Sequence, residues 1–518
     1  MHSEPNLHVP PASSAGSTSA SEGSGEPRHG QERQGGDPHA VGHHHEPPPD
    51  LPGRGRLLVL LCLAQFMLVA DVTVVNVALP TIGDELDLDG SALTWVVTAY
   101  TLFFGSLLLL GGRLSDAVGK LRMFLVGLGV FTAASVASGL ASDGGLLIAA
   151  RSAQGVGAAL LSPAAMALIT TLFHGPARTK ALGVWAAVGG AGSAVGVLLG
   201  GVFVSGPGWE WIFFVNVPAG LVALIGVPVL IGGAASLVGP SPERVPLDLP
   251  GALALTAAPA LLIYGLVRAR DHGFDAPSTL APLAAALMCT AVFVAVERRA
   301  RNPLVRLEVL ARRSLWGGSV VMLAASGLLI SAFFLCSFYL QHVAGYSALK
   351  TGLAFLPVAV AVTVGAHLGG VAVGRFGWRT VGTAAFAVAA VGAGLLAGLS
   401  ADSGVWSGLV PGFALLSLGL GAGFVCATTA AMTGLDHRET GTASGLVGTA
   451  HELGAALGVA VIATVAGASL TGGPSAGTGG FGEPFTAAAV IAAVVAVAGP
   501  MLLPAGRPDP SQPRAMAH

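Results

Sequence analysis

Asp71 sits inside a long hydrophobic segment, in the run Asp71-Val-Thr-Val-Val-Asn-Val-Ala-Leu-Pro80. At about 1.5 Å of rise per residue, the stretch from Leu57 to Ile82 is long enough to cross a bilayer. A carboxylate at that depth is costly, so it binds protons or cargo, or it hydrogen-bonds a neighbouring helix. The balance between desolvation and a nearby cation decides whether such a group loads and releases a proton at ordinary pH. Arg151, in Arg151-Ser-Ala-Gln-Gly155-Val-Gly157, is a second charge inside an apolar stretch. It needs a carboxylate or carbonyl partner, and Asp71 is the candidate, directly or through water. Thr73 and Asn76 lie a helix turn or less from Asp71 and either hydrogen-bond near it or pack. Glu452 is a further acid expected to touch the membrane interior, where it contacts cationic cargo or shares in protonation. Its expected place near a helix N-terminus would favour an acid anyway. His367 either relays protons or packs as a neutral ring. Asn76, Gln154 and His367 are the candidate cargo contacts. No nucleophile triad, phosphate loop or metal-type Cys/His spacing appears, so the expectation is a non-enzyme without metal or cofactor.

The elements that must hold these groups are membrane helices. Of 518 residues, 53% are hydrophobic and 10% charged, against about 25% charged in soluble domains; mean hydropathy is +0.74. The net charge of −2 argues against a nucleic-acid partner. The four cysteines, Cys62, Cys289, Cys336 and Cys426, all fall in apolar stretches and imply no disulfide framework. Hydropathy windows predict fourteen helices. The first six run near 57–80, 92–113, 121–141, 145–172, 180–203 and 211–233. Two more follow near 249–268 and 279–296, and a last six near 315–341, 350–374, 380–400, 408–432, 445–469 and 485–503. The predicted organisation is a polar, disordered cytoplasmic tail over 1–56, a six-helix bundle over 57–233, a linker with two extra spans over 234–314, a second six-helix bundle over 315–503 and a cytoplasmic tail over 504–518. His43, His44 and His45 belong to the first tail and read as solvated residues rather than a metal site.

Cations test the span count. With both termini in the cytoplasm, inner loops carry Arg113, Lys120, Arg122, Arg178, Lys180, Arg244, a cluster from Arg298 to Arg313, Arg375, Arg379 and Arg438. The outer loops carry Arg268, Arg270 and Lys350, together with acids such as Asp84, Glu85, Asp87 and Asp89. This is the positive-inside pattern, and losing one span would destroy it. The two six-helix sets also echo each other. Gly112-Arg-Leu-Ser-Asp-Ala-Val-Gly-Lys120 and Gly370-Val-Ala-Val-Gly-Arg-Phe-Gly-Trp378 both sit two spans into a set, aligning Gly112 with Gly370 and Gly119 with Gly377. Two related bundles around a central cavity are a transporter plan.

Taken together, these ordered motifs resemble the major facilitator superfamily, and within it the fourteen-span drug:proton antiporter group, over about 57–503. The run Asp71 to Pro80 is similar to the group's first-helix signature, which implies a coupling role for Asp71. Arg151 to Gly157 resembles the motif whose intramembrane Arg assists proton transfer. Gly112, Asp116, Gly119, Lys120 and Arg122 resemble the superfamily's cytoplasmic loop motif, which implies a latch on the cytoplasmic side; Ala117 stands where an Arg is common. Gly192, Gly196 and Gly200 repeat every fourth residue and, with Gly183 and Gly201, match the antiporter motif, although Val197 replaces its proline. Trp209-Glu-Trp-Ile-Phe-Phe-Val-Asn216-Val-Pro218 resembles a hallmark of the group and reads as interfacial anchoring, with Glu210 in place of the usual Arg. Similar matches follow from Tyr339 to Ser347 and from His451 to Gly458. The resemblance implies a monomeric, multi-pass protein of the plasma membrane that exports small hydrophobic or amphipathic drugs, antibiotics or secondary metabolites in exchange for protons, giving single-drug or multidrug resistance. An uptake symporter or facilitator on the same fold is the alternative, favoured by Val197.

Overall fold

The computed structural model describes residues 53–232, 239, 248–300, 303, 312–399, 403–434, 440–466 and 479–503, and the expectations for the two tails fall outside them. Long helices follow one another: α1 (Arg54–Glu85), α2 (Gly90–Val118), α3 (Lys120–Gly139), α4 (Gly144–Leu172), α5 (Gly175–Ser205) and α6 (Trp211–Ile231), which is interrupted at Val215. Then come α7 (Leu249–His272), α8 (Pro277–Arg299), α9 (Arg313–Val343), α10 (Ala348–Phe376), α11 (Trp378–Ala397), α12 (Val405–Ala431), α13 (Thr440–Ala466) and α14 (Gly479–Leu502). Among the described residues, thirteen helices are long and apolar enough to span a membrane. The fifth position is filled by α5, a 31-residue helix whose Gly192–Ser205 part is apolar. α1 begins at Arg54, so its first three residues come from the segment expected to be tail.

Local chemistry sets the helix ends. Asp89 and Asp143 accept from the backbone N–H groups of Ala92 and Leu146, at 2.7 and 3.0 Å, and so start α2 and α4. Gly119 ends α2 with φ +110, and Gly377 ends α10 with φ +82. Both adopt a conformation that side chains with a Cβ resist, so the echo between the two loops is a shared backbone turn.

The packing repeats as well. In the first set α2 lies on α4, α3 on α4, α1 on α5 and α3 on α6; in the second, α10 lies on α12, α11 on α12, α9 on α13 and α11 on α14. Each pair of the second set is the first moved eight helices along, which is the signature of two equivalent bundles. They meet along α2–α13, α5–α10 and α1–α9, and α7 and α8 pack on each other with α7 against α2 and α13. Small residues permit the close seams. A Cβ on Gly352 would come within 2.8 Å of the Val197 carbonyl oxygen, and one on Gly201 within 2.8 Å of that of Ala348. At the same end of the molecule, Gln341 donates to the Val77 carbonyl at 2.8 Å and Ser205 Oγ accepts from the Leu349 N–H at 3.0 Å.

Candidate functional site

Asp71 lies midway along α1 with its side chain 1% exposed, and Arg151 of α4 is equally buried. Arg151 Nη1 donates to Asp71 Oδ2. The same nitrogen donates to Gln154 Oε1 at 3.0 Å, and Nε donates to the Val96 carbonyl of α2 at 3.2 Å. The guanidinium carbon stands 4.5 Å from the Tyr100 ring centre and 5.8 Å from that of Phe213, so aromatic faces supply further cation stabilisation. Asp71 Oδ1 accepts from Gln154 Nε2 at 3.3 Å and from Asn216 Nδ2 at 3.4 Å. Gln154 is in turn fixed by Ser135 Oγ, which accepts at 2.9 Å, and by Ser138 Oγ, which donates at 3.2 Å. Five helices of the first bundle, α1, α2, α3, α4 and α6, thus close on one carboxylate.

Glycine makes this density possible. A Cβ on Gly155 would meet the Tyr100 carbonyl oxygen at 2.4 Å, and one on Gly157 would meet the Phe131 nitrogen at 2.6 Å. α4 therefore approaches α2 and α3 closely enough for the planar guanidinium fork to reach its acceptors. A buried ion pair is tolerated when the remaining donors and acceptors are satisfied, and here amides and hydroxyls satisfy them.

The structure joins Asp71, Arg151 and Gln154 and separates the rest. Gln154, a candidate cargo contact, braces the ion pair. Thr73 donates to the Ala70 carbonyl at 3.0 Å and Asn76 to the Val72 carbonyl at 2.7 Å, so both return to their own helix rather than to Asp71. Short polar side chains in helices commonly do this. Asn76 Oδ1 is buried with no hydrogen-bond partner among the described residues. Glu452 is not near a helix N-terminus, because α13 already begins at Thr440. It sits mid-helix on the α2–α13 seam, its Cβ 2.6 Å from where a Cβ on Gly105 would be, with its side chain 14% exposed and its carboxylate 3.3 Å from His451 Nδ1. His367 is exposed on α10, on a face it shares with the exposed Val360, Val364 and Val371, and it makes no hydrogen bond among the described residues. It does not join the Asp71 cluster.

In the loop after α2, Lys120 Nζ donates to Thr171 Oγ1 at 2.9 Å, tying α3 to the end of α4. Asp116 and Arg122 are exposed and form no ion pair among the described residues. Arg113 reaches the Pro303 carbonyl between α8 and α9. Gly192, Gly196 and Gly200 form one stripe seated on Val69, Ala70, Thr73, Val74 and Val77 of α1, while Gly201 turns to α10. The site also contains groups the sequence did not single out: Tyr100, Ser135, Ser138 and, above all, Asn216. The signal for Asn216 was an amide at the head of an otherwise apolar span.

No metal-type cluster of His, Cys, Asp and Glu occurs among the described residues. Residues 61–459 match the sequence pattern of the Major Facilitator Superfamily. The chain is 39% identical to the cephamycin export protein of Amycolatopsis lactamdurans, over 88% of this chain and 93% of that protein. It is 39% identical to a puromycin resistance protein of Streptomyces alboniger, over 80% and 82% of the two chains. It is 38% identical to a lincomycin resistance protein of Streptomyces lincolnensis, over 87% and 91%. Among solved structures, a peptide transporter in complex with sulfate superposes with a TM-score of 0.61 at 18% identity, covering 88% of this chain and 97% of that one. The inward-facing, unoccupied form of a bacterial homologue of the human lysosomal transporter Spinster gives 0.58 at 17% identity, covering 89% and 100%. These two likenesses concern the fold alone. With the repeated bundles, the pattern over most of its length and relatives of this similarity, the chain belongs to the Major Facilitator Superfamily.

Proposed function

We propose that the protein is a proton-coupled antiporter that exports small hydrophobic or amphipathic compounds, such as antibiotics or secondary metabolites, across the plasma membrane, with both termini in the cytoplasm. The observation that carries this reading is the sealed Asp71–Arg151 pair with its amide donors. The export and resistance proteins similar to this chain support the direction. The positive-inside distribution supports the orientation, which makes the Gln341–Val77 and Ser205–Leu349 end the outer one.

The cycle follows from electrostatics. With Asp71 ionised, the carboxylate neutralises Arg151 and ties α1 to α4 and α6. A proton arriving on Asp71 removes that neutralisation, and Arg151 must then turn to other acceptors. The first bundle therefore has two charge states with different internal contacts. Coupling requires only that cargo and proton bias one shared bundle equilibrium in opposite directions. One charge moved through 100 mV supplies about 2.3 kcal/mol, and a tenfold gradient requires about 1.4 kcal/mol, so one proton sustains roughly a fiftyfold gradient of neutral cargo. Glu452, on the seam between bundles, senses cargo or shares protonation in this reading. Asn76, with its unsatisfied oxygen, is a further cargo contact in this reading. The protein acts as a monomer, since each chain carries both bundles.

The test is accumulation in everted vesicles. Cephamycin, puromycin and lincomycin serve as probes, compared between the intact protein and Asp71→Asn, with internal pH followed in parallel. Uptake of any of the three that moves protons outward and is lost in Asp71→Asn supports the proposal. Cargo movement only down its own gradient, or together with protons, overturns it.

A further inference from the structure

The added pair α7 and α8 is not consumed by the transport reading. α8 is the span least covered by protein, with 11% of its apolar window buried. Along it runs a groove of about 480 Å³ whose lining includes Leu287, Thr290 and Val294 and ends at Arg298 and Arg299. Leu287 and Thr290 also line an adjoining apolar crevice of about 360 Å³ between α7 and α8, where Leu262, Leu283 and Phe293 form the walls and Leu453 of α13 closes the far side. The two cavities share Leu287 and Thr290 as a common border, so a pair of cations, an apolar trough and a cleft that stops at the residue next to Glu452 lie one after another. Arg298 and Arg299 are exposed in the last turn of the helix and have no ion-pair partner among the described residues. The neighbouring carboxyl, Glu297, is buried and is not among the residues that line the groove.

We infer that this groove binds one anionic phospholipid, its phosphate on Arg298 and Arg299 and an acyl chain laid past Thr290 into the α7–α8 crevice. Charge complementarity selects the occupant. An apolar trough in a bilayer admits any acyl chain, but two exposed guanidinium groups at its mouth favour an anionic headgroup, each by about fivefold. On the orientation proposed above, the arginines lie at the cytoplasmic leaflet, where anionic lipids and basic side chains meet. The bound chain would lie against α7, which touches both α2 and α13 and so spans the seam along which the bundles meet.

The test uses the full chain purified in detergent. Phosphatidylglycerol and phosphatidylcholine with identical acyl chains are titrated, and retention is read by native mass spectrometry and by thermal melting. Phosphatidylglycerol should be retained about twenty-five-fold more strongly. The variant Arg298→Gln with Arg299→Gln should bring the two lipids to parity. Leu287→Trp changes an exposed position and leaves the arginines intact. It fills the trough and should reduce retention of both lipids. Water-soluble glycerol 3-phosphate, which lacks acyl chains, should neither bind nor shift melting. Equal retention of the two lipids by the intact protein, a preference that survives the double substitution, undiminished lipid binding in Leu287→Trp, or a melting shift with glycerol 3-phosphate would each overturn the inference. The readouts are binding measurements, so they stand whether or not proton-coupled export is confirmed.

Discussion

Replacing Asp71 by Asn removes the charge and retains the shape, so it separates what the carboxylate does for stability from what it does for transport. Arg151 then remains buried without a counter-ion. Breaking one side of a buried pair destabilises by about 3–5 kcal/mol. The lower end, about 3 kcal/mol, applies here, because Gln154 Oε1, the Val96 carbonyl and the Tyr100 face still address the guanidinium. Arg151→Met leaves the carboxylate unpaired and should cost a similar amount. The double variant Asp71→Asn with Arg151→Met leaves no unpaired charge at this site, so its loss should stay near that of one single variant, about 3–4 kcal/mol, well below the sum of the two, giving an interaction of about 2–3 kcal/mol in the cycle. Fluorescence-detected thermal melting in detergent measures this, since all three variants share one reference protein. Transport should behave differently: both single variants and the double variant fall from a roughly fiftyfold gradient to equilibration. A double variant whose loss equals the sum of the singles would refute the paired-charge reasoning. A double variant that concentrates cargo would refute the coupling role.

Four other outcomes follow from the packing. Gly196→Ala places a Cβ 2.2 Å from Thr73 Oγ1 and 2.9 Å from the Ala70 backbone, so melting should fall by the equivalent of about 1–3 kcal/mol. Gly183→Ala on the same helix meets nothing within 4 Å and should leave melting unchanged or raise it by up to about 1 kcal/mol. Gly119→Ala and Gly377→Ala, at φ +110 and +82, should each cost about 1–2 kcal/mol, and similar losses in the two melting curves would mark equivalent turns. Gln341→Ala severs the link to the Val77 carbonyl. A membrane-impermeant maleimide added from outside should then modify an Asn76→Cys reporter faster than in the reporter variant alone.

The spans and their pairing into bundles were legible because hydropathy and cation placement are long-range averages over many residues. The Asp71–Arg151 pair was legible for the opposite reason: two isolated charges in apolar helices have few other ways to be satisfied. The spacing of Gly192, Gly196 and Gly200 announced a smooth face, and the structure shows α1 lying on it. What escaped was mostly the direction in which ordinary polar side chains point. Asn216 read as part of an interfacial tryptophan segment, yet the break at Val215 turns it inward to Asp71. Ser135, Ser138 and Tyr100 are unremarkable residues in a sequence, and only the crossing of α2, α3 and α4 gives them a common neighbour. Asn76 and Thr73 looked like partners of Asp71 by proximity along the chain, but their own helix carbonyls are closer. Glu452 was misplaced along its helix because the polar run after Thr440 hides an early helix start.

The central claim is that an outgoing compound and an incoming proton exchange through Asp71, and everted vesicles carrying a pH-sensitive dye test it most directly. With the intact protein, adding a transported probe should move protons out of the vesicles in step with its uptake, and collapsing the pH gradient and potential should stop both; Asp71→Asn should show neither. Concentrative uptake that continues after both gradients are collapsed, or that is unchanged in Asp71→Asn, would contradict the account.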